Sequence, residues 1–271
     1  MAATSTSEPP VLSQLAAREL VSSEWQIDNE AGAHAASTQA LEHTHGHHGL
    51  LVATAGGKKH VVLSRLDMRG TGIELDEDGR PRRRTLADLL DLGWSLGAGG
   101  ATPQVQSFEL APLPRWTCTL PGVDGELTIE IALHATLPAV SVRYDWEGDD
   151  ALRLHLRPLL AMRSIDERGK EHGAMSQGVE VRRGETRVRP RRDLPPVCFA
   201  HGGIFVGSPD WWLGSASEAS ERAFVEDLWT PGVIEAVLEP GQSTAIVCSL
   251  GSLPEGWPAF PGGLAPRPSS S

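Results

Sequence analysis

From Trp25 onward, apolar and polar residues alternate with a period of two along much of the chain. Leu127, Ile129, Ile131 and Leu133 alternate with Glu126, Thr128 and Glu130. Val140, Val142, Tyr144 and Trp146 alternate with Ser141, Arg143 and Asp145, and Leu152, Leu154 and Leu156 with Arg153, His155 and Arg157. Successive side chains of a strand point to opposite faces, so each run predicts a strand with one buried face and one outward face. The short links Thr136–Pro138 and Gly148–Asp150 predict that these three strands form an antiparallel meander. Val233–Leu238 and Ala245–Leu250 flank Glu239-Pro240-Gly241-Gln242, a strand–turn–strand with Pro and Gly where a turn takes them. Short helices are expected over Val11–Val21, over Thr85–Leu92 with Thr85 as N-cap, and over Ser215–Val225. No βαβ rhythm is present, which argues against a parallel sheet. The expected fold is mainly β, an antiparallel sandwich with a few short helices.

Composition narrows the class. The chain has 271 residues, 40% hydrophobic, enough for a large core. Its formal net charge of −11 argues against a nucleic-acid partner, which needs clustered Lys and Arg. The basic window Arg182–Arg192 holds six arginines and is read as a solvated hairpin. Cys118, Cys198 and Cys248 lie too far apart in sequence for a CxxC site and are read as buried apolar residues in a reducing compartment. No apolar run reaches the length of a membrane span and the N-terminus lacks an export pattern, so a cytoplasmic protein without a membrane partner is expected. Three units are expected: a flexible arm with a short helix over 1–20, a β-sandwich over 21–252, and a Pro/Gly/Ser-rich tail over 253–271.

Several motifs suggest chemistry. Gly93-Trp94-Ser95-Leu96-Gly97 matches G-x-S-x-G, and His201-Gly202-Gly203 matches an esterase oxyanion loop. A nucleophile elbow needs a strand before the serine and a helix after it. Here a helix is expected before Ser95, and the oxyanion loop follows the elbow instead of preceding it, so a serine hydrolase is set aside. His43, His45, His47 and His48 suit zinc or nickel, and on a strand His43, His45 and His47 would share one face. The reading preferred is a polar loop without metal, and a His-loop metal module is the alternative. Trp211 and Trp212 offer flat rings for sugar stacking, although adjacent strand residues face opposite ways.

Glu24 to Asp67 reads EWQIDNEAGAHAASTQALEHTHGHHGLLVATAGGKKHVVLSRLD. Its order resembles the opening of the N-terminal domain of prokaryotic glycogen debranching enzymes through Glu24, Trp25, Asn29, Gly32, Thr44, His48-Gly49-Leu50-Leu51-Val52-Ala53, Leu66 and Asp67. His34 stands where the family pattern has tyrosine, and His45-Gly46-His47 where it has Arg-Arg-Tyr. Ser217–Val233 resembles the family's second signature, with Arg222, Glu226, Asp227, Leu228, Trp229 and Pro231-Gly232-Val233 matching. Ser107-Phe108 with Pro114–Thr117, and Leu156–Leu160 with Arg163, resemble two segments between. The likeness runs from Glu24 to about Leu250.

The resemblance implies a large, supersandwich-like β-sandwich that packs on a catalytic (α/α)6 barrel and helps to bind α-glucan. Hydrolysis needs two carboxyls flanking the scissile bond, and the family's carboxyls belong to the barrel. The expectation is therefore a non-catalytic domain that binds α-glucan or docks a separate (α/α)6 chain, with no cofactor. A glucosidase subunit with its own activity is the alternative. Asn29, His45, His47, His48, Trp211, Trp212, Arg222 and Asp227 are the candidate carbohydrate-binding residues. The two signatures are expected to meet in space, with Trp211, Trp212 and Trp229 forming an exposed apolar face.

Overall fold

A computed structural model describes residues 23–75, 81–83, 104–120, 123–173, 175–176, 178–182, 184–215 and 224–255. Among them there are sixteen strands and no helix, arranged as two antiparallel sheets. The first sheet joins β1 (Glu24–Asp28), β2 (His34–Thr38), β3 (Gly49–Ala55), β4 (Lys58–Leu75), β10 (Ala151–Ser164), β15 (Glu226–Leu238) and β14 (Ile204–Ser215) in that spatial order, with β5 (Pro81–Arg83) paired to β4. The second runs β11 (Val179–Arg182), β12 (Glu185–Val188), β13 (Val197–His201), β16 (Ser243–Leu250), β9 (Ala139–Gly148), β8 (Val123–Leu133), β7 (Arg115–Leu120) and β6 (Gln104–Glu109).

The two-residue period does what it predicts. Leu127, Ile129, Ile131, Val140, Val142, Tyr144, Trp146, Leu152, Leu154 and Leu156 all lie in one core cluster between the sheets. Trp25, Trp116, Trp146 and Trp229 are buried there, each bringing a large apolar area. Three indoles also find backbone acceptors: Trp25 donates to Thr38 O, Trp116 to Gln39 O and Trp146 to Asp150 O. All three cysteines are buried and free, and burial raises the Cys118 thiol to about 12.

The meander is corrected. β8 and β9 pair, but β10 crosses to the other sheet and runs between β4 and β15. Its alternation fixes one buried face and says nothing about which sheet carries that face. The chain turns the corner at Gly148, where a Cβ would come within 2.1 Å of the Trp146 ring. Glu239–Gln242 is a hydrogen-bonded turn, Gln242 N to Glu239 O 2.9 Å, yet it too joins strands of different sheets. His201-Gly202-Gly203 makes a third crossing, between β13 and β14. A Cβ on Gly203 would lie 2.1 Å from Glu235 O, so the motif that resembled an oxyanion loop is a tight corner.

The basic hairpin is present as β11 and β12, closed by Gly184 at φ 72°. The helices expected over Val11–Val21 and Thr85–Leu92 lie outside the described residues, as does the G-x-S-x-G segment. Of Ser215–Val225, Ser215 ends β14, Phe224 and Val225 are not helical, and the residues between lie outside the described set. No helix among the described residues is long and apolar enough to cross a membrane.

Candidate functional site

Residues 39–48 form a folded loop between β2 and β3, so the arrangement in which His43, His45 and His47 share a strand face does not occur. Thr38 Oγ1 accepts from Glu42 N at 3.0 Å, Ser37 Oγ donates to Glu42 O, and Leu41 takes φ 60°. A turn then closes with His48 N donating to His45 O at 3.1 Å. The histidines diverge. His43 points inward to Ser64 Oγ at 3.1 Å, and burial holds its ring well below the usual histidine range. His45 is exposed, His47 half-buried and His48 buried, and the three rings lie within 5.5 Å of one another, centre to centre.

Glu24, at the start of β1, reaches this group. Its Oε1 is 2.8 Å from His45 Nδ1 and 3.6 Å from His48 Nε2, and it accepts from Thr44 Oγ1 at 3.0 Å. Partial burial raises the Glu24 carboxyl, but the Thr44 hydroxyl and the two rings outweigh this and hold it below its usual value. Burial brings His48 down to about 4, against the opposing pull of Glu24.

The two signatures do meet. Phe224 N donates to His43 O at 2.9 Å. Arg163 makes a buried bidentate pair with Glu226, through Nε to Oε2 and Nη2 to Oε1, while its Nη1 donates to Gly46 O at 2.8 Å. Its guanidinium also lies 4.7 Å over the Phe224 ring. Gly46 permits this approach, since a Cβ would meet Ile165 O at 2.6 Å. Glu226 is thus committed to Arg163 and to Gly169 N. Asp227 accepts from Gly214 N at 2.8 Å and Glu171 N at 3.0 Å, which lower its pKa. Neither carboxylate is presented as a free acid or base.

The other expected residues are dispersed. Asn29 donates to His134 O and Leu137 O and accepts from Ala33 N, tying the β1–β2 turn to the 134–137 loop. Trp211 and Trp212 face opposite ways, as the strand geometry requires. Trp211 packs on the main core with His172 against its edge, and Trp212 packs on a second cluster of Val52, Val61, Leu159, Ala161 and Leu228 beneath Arg157. Trp229 is 1% exposed, which corrects its place on an exposed face: it is an inward position of β15, opposite Trp211. The exposed apolar side chains at this edge are Ile204, Val206 and Leu213. Arg222 lies outside the described residues.

A different feature was missed. The outward face of the second sheet, beside the three sheet crossings, holds a cavity of about 1280 Å³. Its lining includes buried Thr128, Ala245 and Val247, and the charged Glu126, Arg143, Asp145 and Glu147. Arg153, Glu235 and the 241–244 corner close one end. The small side chains leave the space, and Arg143 is held toward Asp145 by a 2.8 Å hydrogen bond from Nε to Oδ1. The signal was in the sequence, as the polar half of each alternating strand, where it was read as solvated surface.

The family model for the glycogen debranching enzyme N terminal matches residues 98–245, more than half of the chain and the whole wall of strands β7, β8 and β9. The chain belongs to the glycogen debranching enzyme N-terminal family. The match takes in the Phe108–Trp116 segment, the Leu156–Arg163 segment and the second signature, while Glu24–Asp67 lies outside it. No curated protein matches. Among solved structures, heparan sulfate lyase HepC from Pedobacter heparinus is 14% identical over 60% of this chain and 23% of its own, with a TM-score of 0.32. A mutant of that lyase gives 13%, 61%, 24% and 0.34. The chain therefore spans about a quarter of the length of these structures. As a debranching-enzyme N-terminal domain, it carries the buried ion pair Arg163–Glu226 inside the matched residues.

Proposed function

We propose that this chain is a non-catalytic α-glucan-binding domain of a glycogen debranching system, and that the glucan lies in the cavity on the second sheet. The observation that carries the reading is the cavity itself. It is sized for several sugar rings, floored by small side chains, and lined with carboxylates and guanidiniums, of which Arg143 and Asp145 hold each other in place. Such groups accept from and donate to neighbouring hydroxyls of one sugar. A site without an aromatic platform gains less from stacking, so affinity on the order of millimolar, about −4 kcal/mol, is the expected scale. The commitment of Glu226 and Asp227 to internal partners supports a binding role over hydrolysis. A cytoplasmic location belongs to the same reading.

A second reading, docking of an (α/α)6 catalytic barrel, is favoured by the edge strand β14. Ile204 is 72% exposed, Leu213 63% and Val206 45%. An exposed apolar strand at a sheet edge is a surface that proteins cover.

Affinity electrophoresis in glycogen-containing gels tests the binding claim. The wild type should be retarded as glycogen rises, and Arg143→Ala/Asp145→Ala should migrate as in a glycogen-free gel. Unretarded wild type removes the claim and leaves docking.

A further inference from the structure

We propose that Glu24, His45 and His48 form a binding site for one divalent transition-metal ion of the zinc class. Spacing of the histidines alone did not show this, because the third ligand comes from β1, 21 positions before His45. One ligand atom from each residue lies within 4.8 Å of the others, and Glu24 Oε1 sits 2.8 Å from His45 Nδ1 and 3.6 Å from His48 Nε2. Tetrahedral zinc with bonds of about 2.0–2.1 Å to nitrogen sets its ligand atoms ~3.3 Å apart. Two edges of the triangle, 2.8 and 3.6 Å, bracket that spacing, the third lies within 4.8 Å, and the two exposed corners, Glu24 and His45, can adjust.

The scaffold around the site is built. The turn closed by His48 N and His45 O puts those side chains on one side of the loop. Arg163 anchors the turn through Gly46 O, and Thr44 Oγ1 orients the Glu24 carboxylate. The His48 side chain is only 1% exposed, so the loop around it fixes its ring. Thr44 N donates to the His48 Nδ1 at 3.2 Å, so the neutral ring carries its proton on Nε2, and ligation through Nε2 requires that proton to move, through solvent, to Nδ1 at the expense of the Thr44 bond. Two imidazoles and one carboxylate leave a fourth position for water, facing solvent at His45. That donor set suits zinc, with nickel and copper as competitors. His47 is close by but is not one of the three converging groups.

The test is equilibrium dialysis of the full chain against Zn²⁺, with metal analysis, and Co²⁺ as a visible reporter of low-coordinate geometry. Wild type is expected to bind one ion saturably. Glu24→Gln and His45→Ala, both at exposed positions, should each weaken binding by about tenfold or more, while His47→Ala stays near wild type. Circular dichroism establishes that the variants are folded. No saturable binding overturns the proposal. So does binding that His47→Ala abolishes and Glu24→Gln leaves intact, because the histidines would then chelate without the carboxylate. Glucan binding plays no part in the readout, so the two proposals stand or fall separately.

Discussion

Removing the Arg163 guanidinium tests whether one buried pair holds the histidine loop, β10 and β15 together. In Arg163→Met the methionine fills most of the volume, so cavity formation is small. The Glu226 carboxylate is left buried, keeping the bond from Gly169 N and the nearby charge of Arg65 but not its bidentate partner, and Gly46 O loses its donor. Breaking one side of a buried, hydrogen-bonded pair costs about 3–5 kcal/mol, because the surviving charge stays desolvated. For a domain of this size 1 kcal/mol moves Tm by roughly 2–4 °C, so a fall of about 6–20 °C is expected. Denaturant unfolding should show a lower midpoint with an unchanged slope. Amides of residues 43–48 and 224–227 should lose hydrogen-exchange protection together. The double variant Arg163→Met/Glu226→Leu removes the orphaned charge and should recover about 1–3 kcal/mol relative to the single one. A single variant within about 1 kcal/mol of wild type, or a double variant no more stable than the single, would refute the reasoning.

Two further outcomes concern pH and one sheet corner. In chelator-treated buffer, stability should fall as pH drops below about 6.5: His34, His43, His48 and His201 all have pKa values lowered chiefly by burial, so the unfolded chain binds more protons there than the folded one. His48 alone, moved from 6.5 to about 4, contributes up to ~3 kcal/mol across that window, and a stability flat from pH 7 to 4.5 contradicts this. Gly203→Ala should lose about 1–3 kcal/mol, because its Cβ would press on Glu235 O at 2.1 Å, whereas Gly202→Ala, whose nearest atom is at 3.5 Å, should be nearly neutral; equal effects would show that the β13–β14 corner relaxes freely.

Strands were legible wherever one face is buried and the other wet, as in Glu126–Leu133 and Ala139–Trp146. Which sheet a strand joins was not. Leu152, Leu154 and Leu156 show the same alternation whether they follow β9 in a meander or cross to β4, and the corner at Gly148, where the crossing is made, is revealed only by packing. The family signatures predicted that the 43–48 loop and the 224–227 segment would meet, and they do. The residues that join them, Arg163 and Glu226, stand 63 positions apart and had no assigned role together. Glu24 was legible only as a family match, not as a partner of His45. Trp229 was placed on an exposed face because it lies in the second signature, although the strand period separates its face from that of Leu228. The cavity went unread because polar alternation looks the same on a flat solvated face and on a concave one.

The most direct measurement of the central claim is a chemical-shift titration of the isotope-labelled chain with branched maltooligosaccharides up to about 10 mM, beyond the millimolar affinity expected. The account predicts saturable shifts clustered at residues 126–128, 143–147 and 235–245, lost in Arg143→Ala/Asp145→Ala and kept in Trp211→Ala. No shifts, or shifts confined to His45–His48 and Trp211, would contradict it.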